Sequence, residues 1–293
     1  MAVLSGHTDG VNCVTFSSDG KSLVSGSSDK TVKLWDVQTG GVVKAFHGHT
    51  GRVWSVAILP DCTRIASGSG DGMICFWNVQ RGECLCTIQQ EDYVDHLIFS
   101  PMDPYHLISA SGGKVRQWDV NGNQIPPTYD GTHIAFSPDH AQFSLCNGKA
   151  VTVQNSDSRV VIAEFHVANG DLKHRCFSPD GRLIAAADGS TAYVWDITSP
   201  DPHLVETFVS HSDRIQSLVF SSPSSLISAS HDETVKFWKI GDLSIDPVSA
   251  DSDSLPSIQS VSLQAKSGIA ISIDEEGMVK TWDISTGVCK ASF

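Results

Sequence analysis

Tryptophan recurs along this chain at a nearly constant interval. Trp35, Trp77, Trp118, Trp195, Trp238 and Trp282 stand 42, 41, 77, 43 and 44 residues apart. The 77-residue interval is close to two periods, and Val153, Gln154 and Asn155 stand where the missing member would fall. Seven units follow, the fourth degenerate. A period of roughly 40–45 residues makes each unit one supersecondary element that must stack on its neighbours to bury its apolar face.

Inside a unit the apolar residues alternate with period two over short runs: VNCVTF, SLVSG, TVKLWDV and VVKAF in the first. Such runs predict four β-strands per unit. Turn chemistry separates them, with SSDG, SPDG and SPDH between first and second strands and CNGK between the second and third strands of unit four. Asn-Gly there favours a two-residue hairpin with positive φ.

Three units share a polar set: His7, Ser25, Asp29 and Trp35; His49, Ser67, Asp71 and Trp77; His211, Ser228, Asp232 and Trp238. In each, Ser precedes Trp by ten residues and Asp by six. Ser, His and Asp are the parts of a hydrolase triad, but a hydrolase needs one triad, with its serine at an exposed, strained turn. Three copies with each serine in mid-strand point to a structural role, and no catalytic residue is assigned.

Among the 293 residues, 33 are acidic and 20 are Lys or Arg, a formal net charge of -13, and no basic run occurs. Such a surface repels phosphate backbones and anionic lipid, so neither nucleic acid nor membrane is an expected partner. The eight cysteines show no CxxC pair and read as small buried hydrophobes of a reducing compartment. With no basic-apolar leader at MAVLSGH and no 18-residue apolar run, the sequence predicts a cytoplasmic or nuclear protein.

The period, the four runs and the GH...SD...WD register resemble the WD40 repeat (β-transducin-like) family. The resemblance spans essentially the whole chain and is closest in units 1, 2 and 6. It implies an all-β fold, a seven-bladed propeller with four antiparallel strands per blade around a central channel. One domain, 1–293, is expected, with units at about 5–46, 47–88, 89–126, 127–165, 166–208, 209–250 and 251–293. Kelch-type propellers and β-sandwiches lack the observed register. The family pattern implies that each Asp accepts from one imidazole nitrogen, while the other nitrogen meets the Ser hydroxyl, which in turn meets the Trp indole N–H. The consensus-like units also resemble the C-terminal propellers of fungal NACHT-type signalling ATPases, which would make the chain a sensor within a larger multidomain protein.

The remaining units depart from this set. Unit 3 keeps Ser109 and Trp118 with Gly113 near the Asp place; unit 5 keeps Trp195 and Asp188; unit 7 keeps Ser272 and Trp282 with Glu276 near the Asp place; unit 4 has none. Those blades are expected to rest on apolar packing alone.

Other motifs mislead. Gly20-Lys21-Ser22 imitates the end of a phosphate-binding loop, but Thr15 stands where the first glycine should be. His47 and His49 cannot pair on a metal when His49 is taken by its tetrad, and Cys84 and Cys86 are expected on opposite faces of a strand. Asp274, Glu275 and Glu276 lack calcium-loop spacing. No metal and no cofactor are predicted.

The tetrad orients each blade, since its His precedes the first strand and its Asp follows the second. Both loops then open on one face, the top. Counting back four from Phe16, Ile58, Phe99, Phe136, Phe177, Phe220 and Leu263 gives Asn12, Trp54, Asp95, Thr132, Lys173, Gln216 and Gln259. Two further back stand Gly10, Arg52, Tyr93, Asp130, Asp171, Arg214 and Ser257, and the residues before the tetrad Asp add Ser28, Gly70 and His231. Trp54 is the only tryptophan outside the third-strand place, and with Arg52 and Tyr93 it supplies the residue types of interface hot spots. A channel plug is the bland alternative for Trp54. Asp95, Asp130 and His231 could furnish acid and base groups, but on three different blades.

The sequence therefore predicts a non-catalytic, monomeric interaction module whose top face binds a protein or peptide. A propeller binding a small molecule or glycan by stacking on Trp54 or Tyr93 is the alternative. The outer strand of the last blade could come from GVCKASF or from AVLSGH; residues 288–293 are the expected source, with 2–4 packing nearby. That surplus is expected of a chain cut from a longer array or a larger protein.

Overall fold

A computed structural model describes residues 6–100, 102–103, 105–167, 172–199, 201–241, 248–249, 258–264, 268–274, 279–284, 286 and 289–292. Within them every regular element is a strand, and the strands form seven four-stranded antiparallel sheets.

The first sheet is β1 (Val11–Phe16), β2 (Ser22–Ser27), β3 (Val32–Asp36) and β4 (Val42–Phe46). The second is β5 (Val53–Ile58), β6 (Arg64–Ser69), β7 (Met73–Asn78) and β8 (Cys84–Gln89). The third is β9 (Val94–Phe99), β10 (His106–Ser111), β11 (Lys114–Asp119) and β12 (Gln124–Asp130). The fourth is β13 (His133–Phe136), β14 (Gln142–Asn147), β15 (Ala150–Asn155) and β16 (Val161–His166). The fifth is β17 (Leu172–Phe177), β18 (Leu183–Asp188), β19 (Thr191–Asp196) and β20 (His203–Val209). The sixth is β21 (Ile215–Ser222), β22 (Ser225–Ser230), β23 (Val235–Lys239) and β24 (Val248–Ser249). The seventh is β25 (Ile258–Gln264), β26 (Ile269–Asp274), β27 (Val279–Asp283) and β28 (Cys289–Ser292). Strand order follows chain order in each, so the C-terminal β28 is the fourth strand of the last sheet. Residues 2–4, expected to pack nearby, lie outside the described residues.

The chain divides into two compact units, one of residues up to His133 and one of Ile134–Asp274 with Lys280–Lys290. In the first unit, the second strand of one sheet packs against the first strand of the next. That approach needs a glycine: a Cβ on Gly26 would lie 2.5 Å from Val53 Cγ1, and one on Gly68 2.5 Å from Val94 Cγ1. Phe46 at the end of β4 meets the Trp77 ring at 5.7 Å. The second unit repeats this with Phe165 stacked on Trp195 at 5.0 Å and Phe208 against Trp238 at 4.6 Å. The periodic tryptophan is thus the seal between successive sheets, and each buries roughly 150–250 Å².

A second recurrence was hidden in the sequence. The first strand carries a β-bulge at Asn12, at Trp54, at Asp95, across Lys173 and His174, at Gln216 and at Gln259. A bulge leaves one residue out of the ladder and re-aims its side chain. These are the positions reached by counting back four from the strand's aromatic end.

Candidate functional site

The tetrads form at the expected residues. His7 Nδ1 lies 2.7 Å from Asp29 Oδ2, His7 Nε2 lies 2.7 Å from Ser25 Oγ, and Trp35 Nε1 donates to Ser25 Oγ at 2.7 Å. The second sheet repeats this with His49–Asp71 at 3.1 Å, His49–Ser67 at 2.7 Å and Trp77–Ser67 at 2.7 Å. In the sixth, His211–Asp232, His211–Ser228 and Trp238–Ser228 measure 2.7, 2.6 and 2.7 Å. Proton counting assigns the roles. Asp only accepts, so Nδ1–H donates; Ser accepts from Trp and sends its one proton to Nε2, which requires a neutral imidazole.

Burial, the largest influence, holds His7 and His49 below their ordinary pKa against the pull of Asp29 and Asp71. Burial would raise the carboxyls, but hydrogen bonds from Thr31, His7 and Thr8 hold Asp29 well below the usual range. The same balance, with the Met73 and Thr50 backbone N–H groups and His49 as donors, leaves Asp71 at about 2. His211 and Thr234 do likewise for Asp232. The glycine preceding the histidine has a packing reason: a Cβ on Gly48 would touch Trp77 Cη2 at 3.0 Å.

The other sheets do not rest on apolar packing alone, a correction to the expectation above. Trp118 Nε1 donates to Ser109 Oγ and Trp282 Nε1 to Ser272 Oγ, both at 2.8 Å. In the third sheet Gln90, buried in the place of the tetrad His, accepts from Arg116 Nη1 at 3.4 Å. Sheet five replaces an inward apolar residue with Arg175, whose guanidinium donates to Ser144 Oγ (3.0 Å), Ser144 O (3.3 Å) and Cys146 Sγ (3.2 Å). Neither substitute was visible in the sequence, because each depends on a partner with no fixed spacing. Asp188 is fully buried at the end of β18. Cys84 and Cys86 do part company, through a bulge at Leu85: Cys84 meets Cys75, while Cys86 Sγ lies 4.0 Å from Val120 O.

The tetrad loops mark one end of each sheet, and the bulged residues cluster there with the residue before the tetrad Asp. Asn12 Nδ2 donates to Ser28 Oγ at 3.2 Å and to Val53 O at 3.0 Å. Gln216 Nε2 and His231 Nε2 lie 2.6 Å apart, and the His231 backbone N–H donates to Arg214 O. In the second sheet the partner is Gly70, whose N–H donates to Arg52 O at 2.8 Å. With no side chain there, the indole of Trp54 lies over it, and a Cβ on Gly70 would fall 3.1 Å from Trp54 Nε1.

Arg52, Trp54, Tyr93 and Asp95 all belong to the first unit; Asp130, at the end of β12, pairs with Lys114. The second unit holds Arg214, Gln216 and His231. Asp171 and the side chain of Lys173 lie outside the described residues, as do Ser257 and the Gln259 side chain. Trp54 is 37% exposed and Tyr93 51%, whereas the six periodic tryptophans are at most 7% exposed.

The WD domain, G-beta repeat (WD40) family matches residues 1–36, 40–78, 82–119, 160–196 and 202–239, more than half of the chain. The beta-propeller domain of Myceliophteria thermophila Cps50 (Swd1) superposes with a TM-score of 0.79 at 15% identity, covering 95% of this chain and 98% of that one. The fold is a seven-bladed β-propeller with four antiparallel strands per blade. The chain belongs to the WD40 repeat family.

Among curated proteins, the target of rapamycin complex subunit wat1 of Schizosaccharomyces pombe is 23% identical over 159 residues, 53% of this chain and 50% of that protein. WD repeat-containing protein 37 of Xenopus laevis is 32% identical over 116 residues, 39% of this chain and 23% of that protein. The matched segments thus span half or less of these relatives. WD-repeat proteins of this kind are typically interaction scaffolds.

Proposed function

We propose that this chain is a non-catalytic interaction module that binds a protein or peptide on the face carrying the tetrad histidines, with Trp54 as the anchor in the first unit. The observation carrying this reading is the exposure of Trp54. Trp54, whose indole covers a glycine, is 37% exposed and so keeps aromatic surface in water. Buried under a partner, it becomes the kind of residue that dominates interface energetics.

Catalysis by the repeated Ser–His–Asp sets is disfavoured by burial: Ser25, Ser67 and Ser228 are at most 2% exposed, and each hydroxyl already serves both an indole and an imidazole. Burial also pushes the Cys13 and Cys176 thiols up to about 12, which disfavours them as nucleophiles. A cytoplasmic or nuclear setting accords with cysteines that form no disulfide among the described residues. The propeller fold and the wat1 relative, itself a complex subunit, support the reading.

The test is selection from a displayed random-peptide library on the intact chain, alongside a glycan array. Enrichment of peptides that Trp54→Ala no longer retains is the expected result. Glycan binding without peptide enrichment would replace the reading with the carbohydrate alternative.

A further inference from the structure

We propose that the surface around Trp54 and Tyr93 takes a cationic side chain, lysine or arginine, presented by an extended segment of the partner. The inference rests on the binding role given to Trp54 above and adds the sign of the charge recognised.

Two exposed aromatic rings and a set of carboxylates share this surface. Trp54 lies over Gly70, two residues before Gly72, and a Cβ on Gly72 would fall 3.4 Å from Asp92 O. Two residues span at most about 7 Å, so Gly70, beneath the indole, stands within about that distance of the glycine whose backbone Asp92 approaches. The segment Glu91-Asp92-Tyr93-Val94-Asp95 puts three carboxylates around one exposed tyrosine.

The segment is held rigidly. Asp92 Oδ1 accepts from the Tyr93 backbone N–H at 2.8 Å, Asp92 O accepts from Ser111 Oγ at 2.9 Å, and Asp92 Cβ sits over Gly112, where a Cβ would lie 3.3 Å away. Glu91 is 92% exposed, with Arg116 Nη2 at 3.7 Å. Asp95 is the bulged residue of β9, turned out of the ladder as Trp54 is.

The signs decide the occupant. The segment carries three carboxylates, Glu91, Asp92 and Asp95, against two guanidiniums, Arg52 and the Arg116 that stands 3.7 Å from Glu91, while Lys114 is paired with Asp130. The whole chain, at net charge -13, adds attraction for a cation. Aromatic faces attract cations through their quadrupole, worth roughly 0.5–1 kcal/mol at an exposed site. An anionic partner would gain Arg52 alone and meet the carboxylates. At physiological salt the Debye length is about 8 Å, so charges within this surface still act on a bound group.

The experiment uses the intact chain, panned against a random-peptide library, with the enriched peptides then measured by fluorescence anisotropy at low and high salt. Peptides sharing a lysine or arginine are expected, binding more weakly as salt rises. Glu91→Gln and the pair Glu91→Gln with Asp92→Asn should each weaken them, the pair by roughly two- to fivefold. Arg52→Gln should leave affinity unchanged or raise it. Glu91 is 92% exposed, and an unchanged urea-unfolding midpoint for Glu91→Gln separates its effect on binding from any change in folding. Trp54-dependent enrichment of acidic or uncharged peptides, or loss of binding in Arg52→Gln but not in the carboxylate variants, overturns the cationic assignment while leaving the binding role standing. Absence of any Trp54-dependent enrichment overturns both.

Discussion

The second and fourth sheets reach the same four-stranded architecture by different means. In the second, His49, Asp71, Ser67 and Trp77 close a hydrogen-bonded chain from the loop before β5 to the middle of β7. In the fourth, Gln154 occupies the tryptophan's place opposite Phe143, and Val151, Val153, Ala163 and Phe165 supply a buried apolar face. Apolar packing, with Arg175 of the next sheet bonded to Ser144, takes the place of the tetrad there. The polar chain adds satisfied buried donors and a defined loop position, since each would cost about 1–3 kcal/mol unpaired.

The largest expected effect that separates them is Trp77→Ala, which removes both the hydrogen bond and the ring against Phe46 and should cost about 3–5 kcal/mol in urea unfolding. Gln154→Leu should change stability by less than about 1 kcal/mol. A comparable loss from Gln154→Leu would erase the distinction. Gly68→Ala, forcing a Cβ to within 2.5 Å of Val94 Cγ1, should cost about 1–3 kcal/mol by the same measurement. Ser67→Ala, stranding the Trp77 N–H, falls in a similar range.

Acid sharpens the comparison. His7 and His49 have folded pKa values below the ordinary 6.5, so the unfolded chain binds their protons more tightly. Their contribution is complete above pH 6.5 and is lost as pH falls below it. Asp29, Asp71 and Asp232, all lowered from 3.8, withdraw theirs as pH falls from there toward about 2. Hydrogen exchange followed from pH 7.5 to 5 should show the first and second sheets losing protection relative to the fourth. At neutral pH the order should be the reverse, with residues 120–160 exchanging faster than residues 6–80. The smallest effect is expected at the surface: Trp54→Ala should shift the unfolding midpoint hardly at all, which separates the binding anchor from its buried namesakes.

Much of this was legible along the chain because it is local. The strand period, the turn dipeptides and the fixed Ser and Asp offsets from tryptophan each span fewer residues than one unit, so the tetrads could be named without coordinates. The top-face positions were reachable by counting from Phe16 and its equivalents. The reason for them was not, since a bulge is defined by its pairing partner: Trp54 leaves the ladder only because Val53 and Ser55 pair with Ser69 and Gly68. Gln90 with Arg116, and Arg175 with Ser144, escaped for the same reason.

The amino-acid sequence by itself determined the repeat, the four strands of each unit and the three His, Ser, Asp and Trp sets, through short-range periodicity, while the hydrogen-bonded chain within each set was what the resemblance to the WD40 family implied. Only the tertiary structure decided which glycines admit the neighbouring sheet, which substitutes replace the missing tetrads, and that Gly70 leaves the Trp54 indole lying open. Those outcomes depend on residues far apart in the chain meeting at a few ångströms, and no spacing along one strand encodes them.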